Sequence, residues 1–194
     1  MSSKVLDRDF YLRSPQEVAR DLLGKILVSQ VHHRPVSGII CETEAYDGEV
    51  DQACHARTGK TRRNSVMYGM GGFAYVYFTY GMHWMFNCVV GERNYPAAVL
   101  IRAIQPLEGL DIIYDIRSPI GEKHWCDGPA KLTKSLGITA EHNGIDLCNP
   151  KSAVYLQPGS DIGEEKVIIT PRVGIDSTPE PWKSKPWRFL ADLC

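Results

Sequence analysis

Five strand-like runs crowd the first 104 residues: 25–31 (KILVSQV), 38–46 (GIICETEAY), 73–80, 83–90 and 97–104 (AAVLIRAI). They are rich in β-branched and aromatic residues and are bounded by Gly, Pro and polar residues, as strands are. Pro106 is expected to close the fifth. Helical patterns lie outside this block. Ser14-Pro15-Gln16-Glu17 carries a cap, a first-turn proline and a glutamate able to reach back to the cap. Val18, Leu22 and Leu23 follow at helical spacing, and Gly24 stops the run. Further helices are expected over 107–117 and from Pro129 to Gly137, and short strands over 153–157 and 166–172. Strands clustered in the middle with helices around them predict an α+β fold, a single compact domain with a largely antiparallel β-sheet, flanking helices and a protruding β-hairpin. A chain of 194 residues with 43% hydrophobic residues suits one such domain, residues 1–194.

No run of about 18 apolar residues is present, so no membrane span is expected. The start, MSSKVLDRDFYLRS, lacks the apolar core of a secretory signal, and a soluble intracellular protein is expected. Cysteines stand at 41, 54, 88, 126, 148 and 194, with no C-x-x-C pair to frame a zinc site. Reduced, mostly buried thiols are the expectation for such a compartment; Cys194 has no evident role.

Within the second strand, Glu42, Glu44 and Tyr46 alternate onto one face. Carboxylates are costly in an apolar strand unless something pairs or uses them. They are therefore either a salt-bridged pair or a general base with its neighbour. Net charge is −1, but it is unevenly spread. Residues 42–51 hold five acids, whereas 52–91 hold none and carry Arg57, Lys60, Arg62 and Arg63. That stretch is either a solvated basic loop or a phosphate-binding surface.

Thr79-Tyr80-Gly81-Met82 fits a hairpin tip between the third and fourth strands. Tyr80 and Met82 would then be exposed, as wedges inserted into a base stack are. Tyr75 and Phe78 read as ordinary sheet core and cross-strand pairs. Ser65 lacks a nucleophile-elbow setting, no phosphate-loop or dinucleotide glycine pattern occurs, and no metal-ligand spacing is convincing. A basic loop, an exposed tip tyrosine, an aromatic slot and a carboxylate at its bottom are together the equipment for extruding a nucleotide and acting on it.

At this point ETEAY (42–46), His55-Ala56-Arg57, Arg63-Asn64, YVYFTYGM (75–82), Phe86-Asn87, VLIRAIQPLEGL (99–110), GPAKL (128–132) and Pro186-Trp187-Arg188-Phe189 stand in order. Together they resemble the alkyladenine (3-methyladenine) DNA glycosylase family over residues 5–190. The resemblance implies a monofunctional base-excision repair enzyme that works as a monomer on double-stranded DNA containing damaged purines, with no cofactor and no metal. It implies Glu44 as the general base and Arg102 as the arginine that holds the attacking water and the adjacent phosphate. Tyr46, His55 and Tyr77 correspond to the groups that sandwich the flipped base, and Asn87 to the residue that crowds the amino group of guanine. Tyr80, with Met82 beside it, corresponds to the intercalating tip, and Glu42 to no catalytic role. Localisation would follow the DNA: cytoplasmic and nucleoid-associated in a bacterium, nuclear in a eukaryote. The family usually has Thr-Pro-Arg-Asn where this chain has Thr61-Arg62-Arg63-Asn64, which leaves the geometry of that loop open. Two alternatives accompany the resemblance: a non-catalytic damage binder, and a glycosylase/lyase using Lys131.

Overall fold

In the computed structural model, residues 5–192 are described; Cys194 lies outside them. They form one eight-stranded sheet with helices packed on it. The elements follow in the order α1 (Arg8–Tyr11), α2 (Pro15–Asp21), β1 (Ile26–Val31), β2 (Arg34–Tyr46), β3 (Ala74–Thr79), β4 (His83–Val90) and β5 (Ala97–Glu108). Then come α3 (Leu110–Arg117), α4 (Pro129–Ser135), β6 (Val154–Gln157), β7 (Val167–Thr170) and β8 (Arg188–Ala191). The main path of the sheet is β3-β4-β5-β2-β1-β6, β8 bridges β2 and β7, and each strand pairing is antiparallel. The α+β class and the strand-rich centre are as expected.

Local chemistry explains the helix start. The Ser14 hydroxyl accepts from the Glu17 backbone N–H, and the Glu17 carboxylate accepts from Ser14 N–H, a complete capping box. Such caps are each worth about 1 kcal/mol. α2 then buries Val18 and Ala19 against the sheet. The main core lies on this side, joining Leu22, Ile40, Ala45, Phe86, Val99 and Ile101 to Leu132 and Leu136. A smaller cluster of Cys54, Ala56, Met67, Tyr75, Val89 and Ala98 gathers separately, with Tyr46 and Tyr77 packed against it.

β2 shows why the two sides differ. Thr43 and Ala45 point into the main core, and the Thr43 hydroxyl donates to Ala19 O at 2.7 Å. Glu42, Glu44 and Tyr46 point the other way. The expected shared face of these three is preserved despite register shifts on both sides of Glu42.

Three expectations need correction. Pro106 does not end the fifth strand, which runs to Glu108 and leaves α3 to begin at Leu110. Pro106 sits opposite Gly38, beside a register shift between Ser37 and Gly38, where a missing N–H is tolerated. The backbones are close there: a Cβ on Gly38 would lie 2.8 Å from Gln105 O. Phe78 is not core; it is 45% exposed and instead makes the cross-strand pair, its ring 4.7 Å from that of Trp84. Finally, Cys41 is disulfide-bonded rather than a reduced thiol. β8 lays the C-terminal segment alongside β2, with Leu190 opposite Glu42. Cys54, Cys88, Cys126 and Cys148 are free thiols, as expected.

Candidate active site

A cavity of about 320 Å³ opens between the smaller cluster, the hairpin and the segment after β7. Tyr46, His55, Tyr75, Tyr77, Asn87, Leu100 and Arg102 line it, with Tyr80 at its edge and Val173–Ile175 closing one side. Its size is at the lower end of ligand sites, roughly 300–1,000 Å³. The residues expected to hold a base are thus gathered around one space.

Each wall has an identifiable support. His55 Nδ1 lies 3.0 Å from the Tyr75 hydroxyl, and its ring meets that of Tyr77 edge-on at 4.5 Å. Burial, reinforced by Arg63 and Arg57, pushes its pKa down to about 4. The imidazole is therefore neutral near pH 7 and presents a flat, uncharged ring. Asn87 is buried and donates from Nδ2 to Tyr75 O at 3.0 Å, which fixes its amide at the wall.

The two carboxylates of β2 separate into two roles. Glu42 accepts from Arg102 Nε and from Arg188 Nε, both at 2.6 Å. It is the salt-bridged acid that sequence allowed, and it aims Arg102. Glu44 is completely buried. Its Oε1 accepts from the Val173 backbone N–H at 2.7 Å, and its Oε2 from the Tyr46 hydroxyl at 2.8 Å. Arg102 Nη1 approaches Oε2 at 3.3 Å. Burial raises the pKa of Glu44, opposed by Arg102, the Val173 N–H and the Tyr46 hydroxyl. The carboxylate expected at the bottom of the slot lies just behind the wall, bonded to three residues that form it.

Behind Tyr46 stands a pair that sequence reading did not single out. Asp51 and Arg172 are both fully buried, with Nη1 2.5 Å from Oδ2 and Nη2 2.9 Å from Oδ1. The Arg172 guanidinium sits 4.8 Å from the Tyr46 ring centre and 5.0 Å from that of Trp187. No local pattern in the sequence marks Arg172; its partner is 121 residues away.

Arg57, Lys60, Arg62 and Arg63 are all exposed. Arg63 lies over the Tyr77 ring at 4.8 Å, and Lys60 over that of Tyr68 at 5.4 Å. The buried Asn64 ties the loop together: it donates to His55 O and Gly59 O at 2.9 and 3.0 Å and accepts from Thr61 N–H at 2.6 Å. This resolves the question raised by Arg62, because the loop is pinned without the proline.

At the hairpin tip, Tyr80 is 81% and Met82 67% exposed. Tyr80 and Gly81 have φ of 52° and 69°, and Met82 N–H donates to Thr79 O at 3.2 Å. Left-handed backbone at both central positions matches the twist of paired strands, though for tyrosine it costs about 1 kcal/mol or more. Met82 does not line the cavity. Neither does Lys131, whose Nζ donates to Asp127 Oδ1 at 2.7 Å. Among the described residues no cluster of three His, Cys, Asp or Glu side chains is placed to hold a metal ion.

The methylpurine-DNA glycosylase family model matches residues 9–193. The chain belongs to that family. As a member it is a DNA glycosylase, a hydrolase of N-glycosyl bonds. It is 46% identical over 185 residues to a protein of Carboxydothermus hydrogenoformans, covering 95% of this chain and 94% of the relative. It is 48% identical over 187 residues to one of Methanocella arvoryzae, covering 95% and 91%, and 44% over 184 to one of Myxococcus xanthus, covering 95% and 88%. Each of these relatives bears the name "Putative 3-methyladenine DNA glycosylase".

Proposed function

We propose that this protein is a monofunctional glycosylase that flips alkylated or deaminated purines out of duplex DNA and hydrolyses their bond to the sugar with a water activated by Glu44. The observation that carries this reading is the fully buried Glu44, bonded directly to three lining residues of an aromatic cavity.

Arg57, Lys60, Arg62 and Arg63 meet phosphates, which position the duplex without reading sequence. Flipping costs a few kcal/mol, and less at a damaged base. Tyr80 enters the vacated gap and recovers part of that cost. The extruded purine stacks against Tyr46, with His55 and Tyr77 opposite. A water held by Arg102 stands beside Glu44. The water oxygen bonds to C1′ of the sugar and its proton passes to Glu44. The bond between C1′ and the base nitrogen breaks, and its electron pair leaves with the base. Glu44 and the oriented charge around it also favour the cationic, oxocarbenium-like transition state.

Purines methylated at N3 or N7 carry a positive charge and leave as neutral bases, so 3-methyladenine and 7-methylguanine are the substrates best matched to this chemistry. Hypoxanthine and etheno-adenine need a proton as they depart and are cleaved more slowly. Asn87, fixed at the wall, rejects guanine by crowding its amino group. The enzyme acts as a monomer, in whichever compartment holds the DNA.

The test is single-turnover excision on duplexes carrying each of the four lesions. Base release with strand breaks only after alkali is expected. Breaks before alkali, with borohydride trapping of protein on DNA, would replace this reading with a lyase. No release by folded protein that binds damaged DNA would leave a binder.

A further inference from the structure

We propose that the buried Asp51–Arg172 pair is a positioning device for Glu44: it holds the Val173 N–H on the carboxylate and the Tyr46 ring beside it. The proposal rests on Glu44 acting as the base, but its geometry is independent of any substrate.

Asp51 accepts four hydrogen bonds, two from Arg172 and one each from the backbone N–H groups of Ala53 (3.0 Å) and Asp47 (3.2 Å). That fills its oxygens and fixes the start of the loop bearing His55. Arg172 spends its two terminal nitrogens on Asp51, Ala45 O (2.9 Å) and Trp182 O (3.2 Å). It thereby ties the end of β2 to the C-terminal segment. Ala45 lies between Glu44 and Tyr46, and Val173 follows Arg172 directly. Two groups bonded to Glu44, the Tyr46 hydroxyl and the Val173 N–H, are therefore one residue away from a bond of this clamp, as is Glu44 itself. A buried ion pair is poor evidence for stability in itself, since apolar packing often does as well. Bonds from both side chains converging on the residues that flank Glu44 fit a positioning role better; of the guanidinium nitrogens, Nε alone is left without a partner among the described residues.

The groups facing Glu44 are Glu42 and Tyr46 on its own strand, Arg102 from β5, Tyr77 from β3 and Arg188, its register partner on β8. None of these residues is itself substituted when the clamp is altered; only Tyr46, whose ring rests on Arg172, is loosened together with Val173. A hydrogen bond to the ionised carboxylate lowers its pKa. Loosening Val173 therefore raises the pKa of Glu44 further above its ordinary value, and the base loses activity first on the acidic side.

Arg172→Lys and Asp51→Glu keep the buried charges and loosen the geometry. Carbon-13 NMR of the glutamate carboxyls, assigned with Glu44→Gln, would follow the Glu44 titration in wild type and both variants. We expect it to move up by about one pH unit. The acidic limb of the single-turnover excision profile should move with it, while the plateau at higher pH stays within about threefold of wild type and damaged-duplex binding is retained. A Glu44 titration that does not move in a folded variant, or an excision loss equal at all pH values, would overturn the proposal, because a merely structural pair behaves that way. If the variants fail to fold, the wild-type Val173 amide proton decides: its shift must follow the Glu44 titration, and a flat response counts against the clamp. If wild type excises no lesion, the functional reading falls while the carboxyl titration still judges the clamp.

Discussion

The floor of the cavity and the tip of the hairpin are built on opposite principles. At and just behind the floor, Glu44, Asp51 and Arg172 are buried, Glu42 and Arg102 are partly so, and all five are heavily bonded. At the tip, Tyr80 and Met82 are apolar and exposed, and a Cβ on Gly81 between them would have nothing within 4 Å. One region has its charges arranged in advance, so little reorganisation is needed when a reaction begins. The other leaves apolar surface in water and accepts a left-handed tyrosine, costs that only a later contact can offset. Under the proposed mechanism, chemistry belongs to the floor and the handling of DNA to the tip. It also implies that the two fail differently when changed.

The largest effect belongs to the floor. Glu44→Gln should lower single-turnover excision by roughly a hundred- to ten-thousandfold, the range for losing a general base, while binding of damaged duplex persists. The tip comes next. Tyr80→Gly removes one base–aromatic stack, worth about 1–3 kcal/mol, or roughly 5- to 150-fold in flipping. It should leave the unfolding free energy within about 1 kcal/mol, since glycine adopts the local backbone freely. A tip variant that unfolds the protein, or a floor variant that abolishes DNA binding, would break the contrast.

Smaller effects sharpen it. Each of Arg57, Lys60, Arg62 and Arg63 that contacts a phosphate should reduce the slope of log K against log salt by about 0.9 when changed to alanine. The loss should be similar for all duplex sequences, measured by fluorescence anisotropy over a salt series. His55 offers a test through stability. Its folded pKa is about 4 against an ordinary 6.5, so the unfolded chain takes up its proton first as pH falls. Stability from this group is complete above about pH 6.5 and is lost down to about pH 4, by up to about 3 kcal/mol. Urea unfolding of wild type and His55→Gln at pH 7 and pH 4.5 should show a smaller acid loss in the variant.

Legibility from sequence divides along similar lines. The capping box at Ser14 and the strand cores needed only local rules. The tip was legible because Tyr80-Gly81 is a turn signal in itself. Glu44 was visible as an anomaly, a carboxylate in an apolar strand, but spacing could not separate it from Glu42. What distinguishes them is Arg188 on β8, a four-residue strand too short to announce itself. Asp51 looked like one more acid in a cluster of five, and Arg172 stood unmarked at the end of the strand expected over 166–172. Their pairing depends on how the C-terminal segment returns across the sheet, which no local window contains. The disulfide at Cys41 was missed because a compartment rule takes no account of what the fold places beside one cysteine.

The most direct measurement is stopped-flow fluorescence on a duplex carrying etheno-adenine, whose emission reports unstacking, with chemical quench for base release in the same mixing sequence. Wild type and Glu44→Gln should give the same flipping signal, followed by release from wild type alone. Release by Glu44→Gln at the wild-type rate, or loss of the flipping signal in a folded Glu44→Gln protein, would contradict the assignment of the floor to chemistry and the tip to DNA.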